Sequence, residues 1–258
     1  MFLLRKKHRD IIYFKALTHL RSEASKTYLS ISWWVLEPII LMVIYYILFD
    51  ILLDRGTEDF VVFLLIGLVS WQWFNNGINH GMNAIDGNTP LVLLINFPKV
   101  ILPSVNVVMD TFKFGIIFSL LCIFIWSYGI VPTENYIALI PLLITQYIMN
   151  CAITNLVALL PPFLPDIKII INNALRAGMF LSGVFYDYKT LAPENHIYFE
   201  FNPMAQLIDA YRSILMYNTQ PDYMTLGVIA GVSFLLLLVS YFMYYKLDPL
   251  LPRALLQR

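Results

Sequence analysis

Asp209 and Arg212 stand three residues apart in "NPMAQLIDAYRSIL", and Asp110 and Lys113 stand three apart in a run that is otherwise apolar. On a helix that spacing puts an acid and a base on one face, so the chemistry on offer is charge pairing. For Asp209 and Arg212 the partner is either each other or a neighbouring subunit. Glu37 precedes Pro38 in a second apolar run, and Arg176 follows Asn172 and Asn173 in a third. A charge at the centre of a bilayer costs ~3 kcal/mol on insertion scales, so each needs a partner, a wet cavity or reach to the interface. Glu37 is near enough to the start of its run to reach the interface. Two roles stay open for these groups: structural pairing inside a helix bundle, or a polar lining for a hydrophilic passenger.

Groupings that make or break bonds are missing. There is no GxxxxGK[ST] loop to hold nucleotide phosphates, no HExxH, no Ser/His/Asp arrangement and no pair of acids suited to glycosyl chemistry. His8, His19, His80 and His196 lack metal-ligand spacing, and no metal site is expected. Cys122 and Cys151 lie in apolar runs and read as small buried residues. A membrane-embedded acyl or glycosyl transferase would have to use Glu37, Asp50 or Asp110, the only acids within the apolar runs, and none adjoins a histidine in sequence. The reading is therefore of a non-enzyme, with the transferase kept as an alternative.

The elements that must position these residues are helices in a membrane. The chain is 59% hydrophobic and 13% charged, its formal net charge is zero, and its mean hydropathy is +0.69. No nucleic-acid partner is expected, and no cleaved signal peptide is read at the basic N-terminus. We read one all-α transmembrane domain over 1–258. Its spans lie at about 31–53, 60–80, 104–128, 137–160, 167–186 and 224–245, each close to the ~20 residues that cross a hydrocarbon core. Twelve Lys and Arg fall on the face with both termini, among them Lys15, Lys26, Lys99, Lys168 and Lys246, against Arg55, Lys189 and Arg212 on the other. The positive-inside rule makes the termini cytoplasmic.

Three shorter segments surround the spans. Residues 10–30 form a basic amphipathic helix with a Tyr13, Leu17, Leu20, Ala24, Tyr28 stripe and a second stripe carrying Lys15 and His19. It is either a topology anchor or a collar that also meets a partner. Residues 91–97, between Pro90 and Pro98, are apolar but too short to span. They either dock a soluble subunit or rest on lipid. Residues 202–215 have Asn202 as N-cap and Pro203 at the first helical position. That helix either dips back into the outer leaflet with its neighbour or lies flat on the surface. Trp33, Trp34, Trp71, Trp73 and Trp126 read first as an interfacial belt, and second as faces for sugar rings. Gly77/Gly81 and Gly227/Gly231 each make a GxxxG that permits close helix packing.

Several stretches, in order, resemble one family. They are "RSEASKTYLSISWWVLEPIILMVIYYILF", "FLLIGLVSWQWF", "INFPKVILPSVNVVMD" and "NPMAQLIDAYRSIL". The chain is similar to the membrane subunit of type-2 ABC exporters of bacterial cell-surface polysaccharide, the O-antigen and capsule permeases. It departs from them at "KTYLSIS", where many members carry an Arg-Tyr-Lys and a Leu-Gly. The resemblance implies a homodimer in the bacterial inner membrane, with two re-entrant gate helices over 187–217, at about 189–199 and 202–215. It implies two ATPase subunits that hold the ATP and Mg, this chain holding no cofactor. Coupling to them would involve Asn88, Pro90, Leu91, Leu94, Phe97, Lys99, Lys15 and His19. The channel and gate would involve Trp33, Trp34, Glu37, Trp73, Phe74, Arg176, Tyr186, Tyr188, Asp209, Tyr211 and Arg212. The passenger would be an undecaprenyl-type lipid-linked glycan, O-antigen first. An exporter of a small drug or lipid shares the architecture and is the alternative.

Overall fold

A computed structural model describes residues 6–25, 32–52, 59–190, 192 and 196–256. Among these every regular element is helical. In chain order they are α1 (Lys6–Ser25), α2 (Ser32–Tyr46), α3 (Phe60–Ala84), α4 (Thr89–Leu94), α5 (Ile101–Ser127), α6 (Leu139–Ala158), α7 (Ile167–Leu181), α8 (His196–Glu200), α9 (Pro203–Leu215), α10 (Tyr223–Leu247) and α11 (Leu251–Leu256). A π-helical turn, Ile47–Leu52, continues α2. Pro38 sits inside α2 without ending it.

Four helical runs are long and apolar enough to cross a membrane: Phe60–Ala84, Ile101–Ser127, Glu134–Ala158 and Tyr223–Leu247. The last three turn many apolar side chains outward, for example Ile123 on α5, Ile140 on α6 and Leu235 on α10, whereas Phe60–Ala84 is mostly buried. An apolar exterior of that extent fits lipid rather than water. The stretches expected as the first and fifth spans are also helical, though neither is among these four. Residues 32–52 are helical throughout. The fifth, expected over 167–186, stops at Leu181 and is about 22 Å long at 1.5 Å per residue. It stops because Gly183 takes φ +65°, a left-handed conformation that no helix continues.

α3 is the central helix, packed by α2, α5, α6, α7 and α9. The GxxxG of Gly77 and Gly81 lets Thr154 of α6 press onto its backbone. A Cβ built on Gly81 would lie 2.7 Å from Thr154 Cγ2. Gly227 and Gly231 have nothing within 4 Å of such a Cβ, so their GxxxG makes no close contact among the described residues. The large core joins α3, α5, α6, α9 and α10. Trp71 and Trp73 belong to it, with Trp73 stacked on Phe114 at 4.0 Å, so they are not part of an interfacial belt. Trp33 and Trp126 are exposed.

Both terminal helices lie at one end of the bundle. α1 packs on α5 through Ile12, Ala16 and Leu20, an i, i+4, i+8 stripe, while Tyr13 points outward at 69% exposure. The packed stripe is thus turned from the one read in the sequence, and Tyr28 and Lys26 lie outside the described residues. α11 packs on α4. At the far end, Thr133 Oγ1 bonds Asn218 Oδ1, and Asn135 Nδ2 donates to the Asn218 carbonyl at 2.6 Å. This ties the loop after α5 to the turn between α9 and α10.

Candidate functional site

Three polar residues of α3, Gln72, Asn75 and Asn79, fall at i, i+3 and i+7, which places them on one helical face. Asn172 and Arg176 fall at i and i+4 on α7. The structure brings these two faces together. They line a groove of about 400 Å³ with Trp71, Leu41 and Leu68. Gln72 Oε1 has no hydrogen-bond partner among the described residues. The groove therefore offers amides, a guanidinium and an indole edge inside a bundle whose outer surface is apolar. Such a lining can hydrogen-bond hydroxyls and attract an anion.

α7 borders this groove and is barely packed. Leu175 is its one buried residue. Trp71 presses near its far end, where a Cβ at Gly178 would lie 3.0 Å from the indole Cη2. Asn172, Asn173 and Arg176 stay exposed. The far end of α7 is gripped by α9. Asn202 caps α9, its Oδ1 accepting from the Met204 and Ala205 amides at 3.0 and 3.4 Å. Its Nδ2 donates to the Leu181 carbonyl at 3.1 Å and to Ser182 Oγ at 3.0 Å. The N-cap read in the sequence is met, and the same side chain joins two helices.

Arg212 is buried. It donates to the carbonyls of Gly183 and Val184, each at 2.8 Å, and lies over the Phe63 ring at 3.3 Å. Two longer bonds, at 3.4 Å, reach the Phe63 carbonyl. It does not pair with Asp209. Asp209 turns outward to Lys189 Nζ at 2.8 Å. The reason is demand: the turn after α7 leaves buried carbonyls that need donors, and a guanidinium supplies several. Burial lowers the proton affinity of Lys189, but its bond to Asp209 and the nearby charges outweigh this and hold it above its usual value.

α9 is buried along most of its length against α3, α6 and α10, so it is not a helix lying flat on the surface. Tyr211 is fully buried, edge-on to Phe118 at 5.9 Å. Tyr188 stacks on Phe199 at 5.1 Å, and Tyr186 meets the same ring edge-on. Of the expected gate and channel residues that are described, Arg176 lines the groove. Trp73 faces α5, and Phe74 packs on Trp71. Trp34 lies under Lys113, with Nζ 5.1 Å from its ring. The Glu37 side chain lies outside the described residues, as do residues 191 and 193–195 of the expected first gate helix. In their neighbourhood stand only the short turn Tyr188–Thr190 and the five residues of α8.

At the terminal end the loop between α3 and α5 collects links from three directions. Lys15 Nζ of α1 donates to Asn88 Oδ1 at 3.3 Å, and burial lowers that lysine's proton affinity. Lys168 of α7 pairs with Asp86 at 3.0 Å and donates to Asn83 Oδ1 at 2.9 Å. Lys99 pairs with Asp248 at 3.1 Å, and its amide donates to the same carboxylate at 2.8 Å. Lys99 is buried and faces inward. Leu91 and Phe97 pack beneath the loop, whereas Pro90 and Leu94 point outward, Leu94 at 83% exposure. His19 is exposed on α1.

One contact escaped the sequence reading. His80 Nδ1 of α3 lies 2.8 and 2.9 Å from the oxygens of the buried Asp110 of α5. Asp110 thus takes His80 and not Lys113. Thirty residues separate the two, and no periodicity within one helix reports a contact between two. The Gln72, Asn75, Asn79 face was open to detection, being three amides at helical spacing in an apolar span. Among the described residues no group of three His, Cys, Asp or Glu gathers as a metal site would.

Fold and groove define a class: a multi-pass membrane protein with a polar cleft between helices. No family model matches the chain. Among curated proteins it is 26% identical over 233 residues to the O-antigen export system permease protein RfbA of Myxococcus xanthus, covering 90% of each chain. It is 23% identical to an RfbA of Klebsiella pneumoniae over 92% of each. It is also 22% identical to the polysialic acid transport protein KpsM of Escherichia coli, over 88% of this chain and 87% of that one. These relatives, matched nearly end to end, support a type-2 ABC exporter permease, the family that the sequence resembled.

Proposed function

We propose that this chain is the channel-forming subunit of an ATP-driven exporter that moves a lipid-linked polysaccharide, O-antigen first, across the bacterial inner membrane. The observation that carries the reading is the amide- and arginine-lined groove between α2, α3 and α7, in a chain similar along its length to O-antigen export permeases. Hydroxyl-rich passengers need hydrogen-bonding walls, and an undecaprenyl-type carrier brings phosphate charge to an arginine. The termini are cytoplasmic, six helical segments cross, and α8 with α9 forms the outer gate. Two copies meet across the exposed side of α7, because Asn172, Asn173 and Arg176 are too polar to face lipid. A soluble ATPase binds each copy at the outward Leu94 tip of α4 and along α1. ATP and Mg sit on that partner.

The test is purification from native membranes followed by reconstitution. The expected result is an ATPase in equal amount with this chain, and surface glycan that disappears on deletion and returns with the gene. A chain that purifies alone, or surface glycan unchanged in a deletion strain without a paralogue, would overturn the reading.

A further inference from the structure

We infer that α7 is a strut joining the 86–99 loop to α9, and that Lys168 is the positioning residue that fastens its lower end. The inference rests on the reading that an ATPase docks at that loop. The lower fastening is the pair of Lys168 with Asp86 at 3.0 Å, backed by Asn83 Oδ1 at 2.9 Å. Both partners are partly shielded, at 27% and 15% exposure, so solvent screens the link less than a fully exposed pair. Asp86 is itself tied to α4, since its carbonyl accepts from Thr89 Oγ1 at 2.7 Å. Two residues on, Asn88 takes the bond from Lys15 of α1. A displacement of α4 or α1 therefore reaches Asp86 directly.

The upper fastening has two parts. The Asn202 side chain grips the last carbonyl of α7 while capping α9, and Arg212, within α9, holds the carbonyls of Gly183 and Val184 in the turn that follows. Between the two ends α7 is held lightly, by Leu175, by Ile171 and Met179 at the edge of the core, and by Trp71 against Gly178. A helix resists compression along its axis because its hydrogen bonds run that way. Fastened at both ends and loose along its flank, α7 passes a push from the loop to α9 instead of dispersing it into the core. This is a contiguous physical connection between two sites, with a rigid element as its middle. The same helix carries Asn172 and Arg176, so the motion also reshapes the groove.

The experiment uses the whole complex, this chain with its ATPase, in vesicles loaded with lipid-linked glycan. ATP hydrolysis and export are measured together for wild type, Lys168→Arg, Lys168→Met, Asp86→Lys and the swap Asp86→Lys with Lys168→Glu. Lys168→Met is expected to lower export per ATP about 5-fold or more, the low end of coupling between sites, with hydrolysis and complex yield unchanged. Lys168→Arg retains the ratio, and the swap regains most of what each single change loses. A purely structural lysine would lower yield, hydrolysis and export together, and that result overturns the strut. So does an unchanged ratio in Lys168→Met. A wild-type complex that draws no ATPase overturns the functional reading, and this inference with it. A wild type that exports normally beside a Lys168→Met variant with an unchanged ratio overturns the strut alone.

Discussion

Arg212 shows how much one side chain carries at the far end of the bundle. Its guanidinium answers the carbonyls of Gly183 and Val184, and a Cβ on Gly67 would come within 2.8 Å of its Nη2. Arg212→Ala leaves buried carbonyls without donors, and we expect a loss of about 2–4 kcal/mol, read as a lower Tm in detergent. Gly67→Ala should push the same guanidinium aside. If both act through one contact, the double variant loses less than the two single losses combined. Lys189 is a milder case. Its proton affinity is raised in the folded chain, so its contribution is whole below the unfolded lysine value of 10.5 and fades as pH rises through the raised one. A melting profile of Lys189→Met should lack that alkaline decline, and a profile parallel to wild type would rule the link out as a stabilising one.

At the scale of the element, the two GxxxG pairs behave differently although they are spelled alike. Thr154 fills the space over Gly77 and Gly81, so Gly81→Val should separate α3 from α6 and cost about 1–3 kcal/mol by overpacking. Nothing approaches Gly227 or Gly231, and Ala at either should be neutral or stabilising by about 1 kcal/mol or less. Thermal melts of the variants distinguish the two motifs directly. α4 supplies a different prediction. Leu94 is exposed at the tip of a six-residue helix, so Leu94→Glu should leave Tm within about 0.5 kcal/mol of wild type in stability. The same change should strip the co-purifying ATPase from the complex. Retention of the partner would place the docking surface elsewhere.

For the whole molecule the decisive surface is the open side of α7. A helix with Asn172, Asn173 and Arg176 exposed cannot rest against lipid at low cost, and the proposed pairing of two copies with water between them is tested on that side. In a variant with Cys122 and Cys151 replaced by Ala, Asn173→Cys should cross-link the chain in membranes to a species of twice its mass. Leu235→Cys, on the exposed apolar side of α10, should not. Cross-linking at Leu235 and none at Asn173 would move the interface to α10.

The sequence by itself determined the helical class, the long apolar runs and the separation of basic residues toward one end, because these depend on local hydropathy and on one-dimensional counting. It also determined the Asn202 cap and the start of α9, since a cap is decided within four residues. The tertiary structure alone decided partners. Asp110 meets His80, Asp209 meets Lys189, and Arg212 meets the turn after α7, in each case overriding the acid or base three residues away. The pairing of neighbours three apart on one helix is weak, whereas a buried carbonyl or carboxylate must be satisfied by whatever group the fold brings near it. Tertiary packing also buried Trp73 and Tyr211, turned Lys99 inward, and made a groove from Gln72, Asn75 and Asn79 only when α7 came to face them.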